Sequence, residues 1–85
     1  MAGYSVFFRK SVEKDFSRIP DRDLRRIIER IGLLTDNPRP SGCEKLSAQE
    51  RYRIRQGKYR ILYSIQDEEH TIWITKVRHR KEVYR

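Results

Sequence analysis

The feature that most constrains the fold is residues 51–63, RYRIRQGKYRILY, in which apolar and basic side chains alternate on both sides of a glycine. A period of two is that of a β-strand, whose successive side chains point to opposite faces of a sheet. Gln56 and Gly57, at the centre, predict a tight turn. The stretch therefore predicts a β-hairpin with one apolar face and one basic face. The apolar face would carry Tyr52, Ile54, Tyr59, Ile61 and Tyr63.

The opposite face of this hairpin would collect cations on neighbouring strands. Its members would be Arg51, Arg53, Arg55, Lys58 and Arg60, with Arg78 and Arg80 extending the patch from the end of the last strand. Like charges opposite each other destabilise a sheet, so the pattern favours binding of a polyanion over a merely solvated basic face. The guanidinium fork matches phosphate oxygens, and paired arginines can also stabilise the charge that develops in phosphoryl transfer.

The N-terminal half predicts one strand and two helices. Residues 4–8 are aromatic and apolar, as in a strand. Ser11 is expected to cap a short helix that ends at Pro20, and Asp21 to cap a longer one. The short helix would bury Val12, Phe16 and Ile19, and the long one an apolar stripe of Leu24, Ile27, Ile28, Ile31 and Leu34.

The remaining segments complete a single domain, residues 1–85. Residues 35–42 contain two prolines and a glycine and predict a loop, residues 67–69 predict a turn, and residues 70–77 predict a third strand of the meander. The predicted class is α+β in the order β-α-α-β-β-β. Two N-terminal helices would pack on one face of a small, twisted, mostly antiparallel sheet.

Composition narrows the possible functions. Twenty Lys and Arg against twelve Asp and Glu give a formal net charge of +8, which suits nucleic acid, an acidic protein partner or simply a soluble basic domain. The single cysteine, Cys43, excludes an intramolecular disulfide, and two lone histidines lack metal-ligand spacing, so no metal or cofactor is expected. With no signal-peptide core or membrane-spanning run, a cytoplasmic location is expected.

The tail adds two candidate groups. His79 is either an exposed histidine at a strand end or a proton-transfer group, since an imidazole titrates near neutral pH. Tyr84 can stack on a base, donate to a phosphate or anchor the C-terminus in the core. His70, beside two glutamates in a turn, is expected to be structural or solvated.

Three segments together resemble the RelE family of bacterial and archaeal toxins, and the resemblance covers essentially the whole chain. They are EKL at residues 44–46, the hairpin at 51–63 and VRHRKEVYR at 77–85. The resemblance implies the fold predicted above. It also implies an enzyme that enters the ribosomal A site and cleaves mRNA by attack of a 2′-hydroxyl on the adjacent phosphate. A cognate antitoxin that masks the basic surface is the implied protein partner.

The resemblance also implies roles for individual residues. Arg60 would contact the scissile phosphate, Arg80 would stabilise the transition state or protonate the leaving oxygen, and Tyr84 would orient the base. Arg53 and Arg55 match two further basic positions of the family. With His79 added as the candidate proton-transfer group, the candidate catalytic residues are Arg53, Arg55, Arg60, Arg80, Tyr84 and His79. The candidate substrate-binding residues are the other cations Arg51, Lys58, Arg78 and Lys45.

One departure from the family concerns the general base. Some relatives have lysine where this chain has Arg53 and Arg55, and arginine does not lose its proton. His79, Tyr84, Glu82 or a water would then accept the proton, or electrostatic stabilisation would carry most of the rate.

The sequence is also compatible with two other functions. One is a ParE-like inhibitor that acts on DNA gyrase by protein contact without catalysis. The other is a basic RNA- or ribosome-binding module without activity.

Overall fold

The computed structural model describes residues 3–82, which form seven helices and strands and two short 3-10 turns. The strands are β1 (Ser5–Phe8), β2 (Glu44–Ser47), β3 (Arg51–Gln56), β4 (Tyr59–Gln66) and β5 (Thr71–His79). The helices are α1 (Val12–Ser17) and α2 (Asp21–Leu33), and the 3-10 turns span Asp67–Glu69 and Arg80–Glu82. Within residues 3–82 no helix has the length and apolar character needed to cross a membrane.

The five strands form one sheet in the order β1-β5-β4-β3-β2. Strand β1 runs parallel to β5, and the other three pairings are antiparallel. The predicted α+β class, with two helices on a mostly antiparallel sheet, is confirmed. Strand β2 was not predicted from the sequence. Only Leu46 is apolar in this segment, and all four of its residues are exposed. It therefore lacks the alternation that marks a half-buried strand.

The core lies between the two helices and one face of the sheet. Strand β4 alternates strictly, with four buried residues separated by partly exposed ones. The buried set is Val12, Ile19, Ile27, Ile31, Leu34, Tyr52, Ile54, Tyr59, Ile61, Tyr63, Ile65, Ile72, Ile74 and Val77. The predicted apolar face of the hairpin is thus confirmed. Ile28 was expected in the buried stripe of α2 but is 44% exposed, because it lies at the edge of that stripe.

Two local predictions were wrong. Helix α2 is preceded by Pro20 at the N-cap position, in an extended conformation, and Asp21 is already its first helical residue. In the hairpin, Gln56 pairs with Tyr59, so the two turn residues are Gly57 and Lys58. Gly57 has a φ of 59°, a conformation that a residue without a Cβ adopts at little cost. Lys58 therefore lies in the turn and not on the basic face.

Candidate functional site

Three arginines lie side by side on the face of the sheet that points away from the helices, here called the outer face. Arg55 on β3 is opposite Arg60 on β4, and Arg60 is opposite Arg78 on β5. Directly opposite residues share a face, with Cβ atoms about 5 Å apart. These three residues, the arginine row, bring together cations from three strands as the sequence predicted.

A β-bulge in β5 gives Arg78 its outward direction. Tyr63 pairs with Ile74 but Leu62 pairs with Lys76, so Thr75 is the extra residue. The Thr75 hydroxyl donates a hydrogen bond to the Leu62 carbonyl at 3.1 Å. An inserted residue reverses which side chains face the core. Without the bulge, Arg78 would point to the same side as Ile74.

Arg60, at the centre of the row, has an unsatisfied donor. Its Nε atom is buried and has no hydrogen-bond partner within the described part of the chain. A buried donor without an acceptor is rare because it loses the free energy of hydration without compensation. An anionic oxygen at the centre of the arginine row would supply that acceptor and would also offset the repulsion among the three cations.

A second row on the outer face contains Arg53, Leu62 and Lys76 in register. Arg53 is held by Glu44, its neighbour on the unpredicted strand β2, through a hydrogen bond of 2.9 Å from Nε to Oε1. This bond, together with the charge of Arg53, lowers the pKa of the Glu44 carboxyl. Glu44 was not predicted as a site residue, because its position depends on β2, a strand whose residues show no apolar alternation in the sequence.

Arg80 begins the 3-10 turn after β5, beside the hairpin turn. Its backbone N–H donates to the Lys58 carbonyl at 2.8 Å, and its side chain is exposed. This bond fixes the start of the tail at the same end of the sheet as the arginine row. Arg51 lies on the outer face at the other end of β3, opposite Ser64. Tyr84 is outside the described residues.

His79 and Lys45 are not brought to the arginine row. His79 is opposite Tyr59, a core residue, and the two rings are 5.3 Å apart in an edge-to-face arrangement. The His79 Nδ1 atom accepts a hydrogen bond from the Lys81 N–H at 3.2 Å. Lys45 is opposite Tyr52, and its Nζ is 2.9 Å from Glu50. Both residues therefore belong to the side of the sheet that the helices cover.

A polar cluster around Arg39 lies at the end of the sheet opposite the arginine row. The guanidinium contacts Glu50 at 2.6 Å, Asp67 at 2.7 Å and the Tyr52 hydroxyl at 2.8 Å. Hydrogen bonds from Lys45 and then Arg39 lower the pKa of Glu50 to about 2. Hydrogen bonds from Arg39 and then Tyr4 lower the pKa of Asp67 to about 2. The cluster joins three loops, which the sequence did not predict to meet.

Among the residues that the structure describes, the site contains no grouped metal ligands. Within residues 3–82, no three His, Cys, Asp or Glu side chains lie close enough to hold an ion. The acidic groups that do lie near cations, Glu44 and those around Arg39, are used in ion pairs. What the described residues can do chemically is bind an anion and stabilise negative charge on it.

Comparison with known proteins identifies the family. The family model described as ParE toxin of the type II toxin-antitoxin system, parDE, matches residues 6–84. Toxin RelG of Mycobacterium tuberculosis is 33% identical over 84 residues, covering 96% of this chain and 97% of RelG. The putative toxin RelE1 of Methanocaldococcus jannaschii is 32% identical over 86 residues, covering 96% of each.

Solved structures agree with these relatives. The RelE–RelB complex of Pyrococcus horikoshii matches with a TM-score of 0.84 and 31% identity, covering 92% of this chain and 96% of that one. The RelBE2 toxin–antitoxin complex of M. tuberculosis matches with a TM-score of 0.79 and 31% identity, covering 91% and 98%. Isolated RelE of E. coli, at 17% identity and a TM-score of 0.78, shares the fold. The chain therefore belongs to the RelE family of toxins, within the RelE/ParE superfamily of type II toxin–antitoxin systems.

Proposed function

We propose that this toxin is a ribosome-dependent endoribonuclease that cleaves mRNA in the ribosomal A site without a metal ion and thereby inhibits translation. We also propose that a cognate antitoxin binds and neutralises it. The antitoxin partner is supported by the related toxins of P. horikoshii and M. tuberculosis, whose structures are of toxin–antitoxin complexes. A chain with a net charge of +8 suits both an acidic partner and ribosomal RNA.

The observation that carries the proposed activity is the arginine row with the unsatisfied Nε of Arg60 at its centre. Aligning like charges costs stability, and an orphaned buried donor adds to that cost. A phosphate bound at the row offsets both. The guanidinium fork favours this anion because it can donate two parallel hydrogen bonds to phosphate oxygens.

The proposed reaction is transfer of the phosphoryl group from one ribose oxygen to another. The 2′-oxygen forms a bond to phosphorus, the bond from phosphorus to the 5′-oxygen breaks, and the 5′-oxygen takes up a proton. Negative charge grows on the non-bridging oxygens in the transition state, where Arg60, Arg55 and Arg78 would stabilise it. Arg53 would contact the neighbouring phosphate oxygens, and Arg80 would lie on the leaving-group side.

The 2′-hydroxyl proton needs an acceptor other than these arginines, because a guanidinium stays protonated at every physiological pH. Water or a group of the tail, Glu82 or Tyr84, would accept it. In this scheme electrostatic stabilisation and positioning supply most of the rate enhancement, which is the usual division of labour in phosphoryl transfer.

The test is to express the chain with and without its neighbouring open reading frame and to map mRNA 5′ ends. We expect codon-phased cuts in translated messages and little cutting of free RNA.

Arg60→Ala should lower the cleavage rate by about a hundredfold or more, the typical effect of removing one donor to a developing oxyanion. Arg26→Ala, an exposed arginine of α2, is the matched control. Cleavage by Arg60→Ala at the parental rate would refute the proposed site.

A second candidate is inhibition of DNA gyrase, because the family model that matches is named for ParE. It predicts DNA breaks and a damage response on expression while mRNA remains intact. Salt-sensitive RNA binding without any cleavage product would instead indicate a binding module that lacks activity.

A further inference from the structure

The outer face continues beyond the two basic rows into a groove. One cavity of about 500 Å³ lies over β3 and β4, and a second of about 290 Å³ reaches β5. The two cavities share Arg9, Ser64 and Gln66, so they form one continuous depression, here called the outer groove. Its floor includes Leu62, a member of the second basic row. The groove is therefore contiguous with the proposed active site.

An exposed aromatic pair lies at the β5 end of the outer groove. Trp73 is opposite Phe7 on β1, with ring centroids 5.3 Å apart and planes inclined by 31°. Trp73 is 37% exposed and Phe7 46%, whereas Ile72 and Ile74 on either side of Trp73 are fully buried. The two rings thus present adjacent planar apolar surface to solvent on the outer face, and contiguous exposed apolar surface can mark a binding site.

Two cations line the outer groove. Arg51 is part of β3, and Arg9 follows β1, held by a bond from its backbone N–H to the Ile74 carbonyl. Within residues 3–82 neither guanidinium forms an ion pair. Among the described residues that line the groove there is no Asp or Glu. The lining of the groove is therefore positively charged, although a neighbouring depression that shares Gln66 is lined by Glu50, Asp67, Glu68 and Glu69. A ligand that complements the groove itself is an anion with a planar apolar part.

We propose that the outer groove is a second nucleotide subsite, in which a base of single-stranded RNA stacks on Trp73 while Arg9 and Arg51 contact flanking phosphates. This inference rests on the proposed function, because the subsite would bind a neighbouring nucleotide of the same RNA strand that is cleaved at the arginine row. Arg60 and Ser64 are four residues apart on β4, or about 13 Å. Ser64 is opposite Trp73, so the stacked nucleotide is not the one whose phosphate lies on Arg60.

The combination of stacking surface and arginines favours RNA over an acidic protein segment. Non-specific single-strand binders pair a basic groove with aromatic platforms, because every base has a π-face that can stack. An acidic peptide would be attracted to Arg9 and Arg51, but its carboxylate side chains have no planar apolar group to stack on Trp73 and Phe7. RNA is also the polyanion for which the adjoining arginine row is proposed.

The test uses the fact that Trp73 is the single tryptophan of the chain, so its fluorescence reports on the groove alone. The intact toxin is titrated with a short single-stranded RNA and with an abasic oligomer of the same length and charge. We expect the RNA to quench Trp73 and the abasic oligomer to leave it nearly unchanged. Equal effects of the two oligomers, or no quenching by RNA, would overturn the subsite. Quenching by a glutamate-rich peptide but not by RNA would overturn it in favour of a protein-docking surface.

Variants give a second readout, the anisotropy of labelled RNA. Trp73→Leu should bind about tenfold more weakly, because stacking of a base on an aromatic ring is lost, and Trp73→Tyr should retain most of the affinity. Leu33→Ala, an exposed apolar residue of α2, is the control and should bind like the parent. Parental affinity in Trp73→Leu would contradict the inference.

These measurements separate the subsite from the proposed activity, since they need neither ribosomes nor cleavage. Arg60→Ala should lose cleavage but keep base-dependent quenching of Trp73. Absence of mRNA cleavage by the parent, with quenching intact, would refute the nuclease alone. Cleavage without quenching would refute the subsite alone.

Discussion

Glu44 and Arg53 lie opposite each other on β2 and β3, and the Arg53 Nε donates to Glu44 Oε1 at 2.9 Å. Arg53 is opposite Leu62 on the outer face, so this carboxylate lies next to the arginine row. The pKa of Glu44 is lowered mainly by Arg53 and further by the charges of Arg55 and Arg60. The carboxylate is thus an internal anion at the border of a surface proposed to bind phosphate.

Replacing Glu44 with glutamine should strengthen RNA binding by a few-fold at low salt. Glu44→Gln keeps the shape of the side chain but removes the charge that competes with phosphate for Arg53. Anisotropy of labelled single-stranded RNA would measure the effect, and Glu29→Gln on α2 would serve as the control. Because the pair is largely exposed, the difference should shrink as salt is added. Weaker binding by Glu44→Gln would mean that orienting Arg53 outweighs the competition.

Neutralising the centre of the arginine row should stabilise the fold while it impairs the proposed activity. Arg60 is opposite a like charge on both sides, so Arg60→Gln should raise the free energy of unfolding by roughly 0.2–1 kcal/mol. Urea denaturation at low salt would measure this, with Arg26→Gln as the matched control. High salt should reduce the gain. A destabilised Arg60→Gln would indicate that the row does not carry repulsive strain.

The hairpin was predictable because a half-buried antiparallel strand must alternate. Residues 51–63 therefore showed that Tyr52 and Ile54 are buried and that Arg53, Arg55 and Arg60 point outward. Strand β2 was not predictable, since an exposed edge strand is formed by its pairing with β3 and needs no apolar period of its own. Glu44 was missed for that reason.

The positions of Arg78 and His79 depended on the β-bulge at Thr75, which has no signature in the sequence. Extending the alternation from Ile72 and Ile74 would turn Arg78 inward and His79 outward, whereas the extra residue reverses both. Arg78 was expected on the outer face from its proximity to the hairpin, and the structure places it there. The Arg39 cluster was equally unpredictable, because its acidic partners Glu50 and Asp67 come from loops distant in sequence.

The Arg39 cluster should make stability depend on pH in the acid range. Glu50 and Asp67 each have a folded-state pKa of about 2, below the ordinary values of 4.5 and 3.8. The folded state then binds fewer protons than the unfolded state, so stability is fully present above about pH 4.5 and is lost as pH falls towards 2. Urea denaturation between pH 7 and 2.5 would show this decline.

Arg39→Gln is the variant that tests this origin. The substitution removes the Arg39 hydrogen bond, which is the main cause of the lowered pKa of Asp67 and, after Lys45, the next cause of the lowered pKa of Glu50. The decline in stability below pH 4.5 should therefore become shallower. Lys45 still contacts Glu50, so part of the dependence should remain. Arg26→Gln, outside the cluster, should keep the parental profile. An unchanged acid profile in Arg39→Gln would assign the pH dependence to other carboxylates.

Replacing His79 should leave most of the proposed nuclease activity in place. The His79 ring packs against Tyr59 on the side of the sheet that the helices cover, whereas Arg60 faces the opposite side. A general acid or base contributes about 10²–10⁴-fold to a rate, so a retained rate distinguishes a structural histidine from a catalytic one. His79→Asn keeps an acceptor for the Lys81 N–H, and its cleavage rate should stay near the parental value across neutral pH.

Arg80→Ala is the contrasting variant, which should lose cleavage. A hundredfold loss in His79→Asn would instead require the end of β5 to rearrange when RNA binds, so that the imidazole reaches the phosphate.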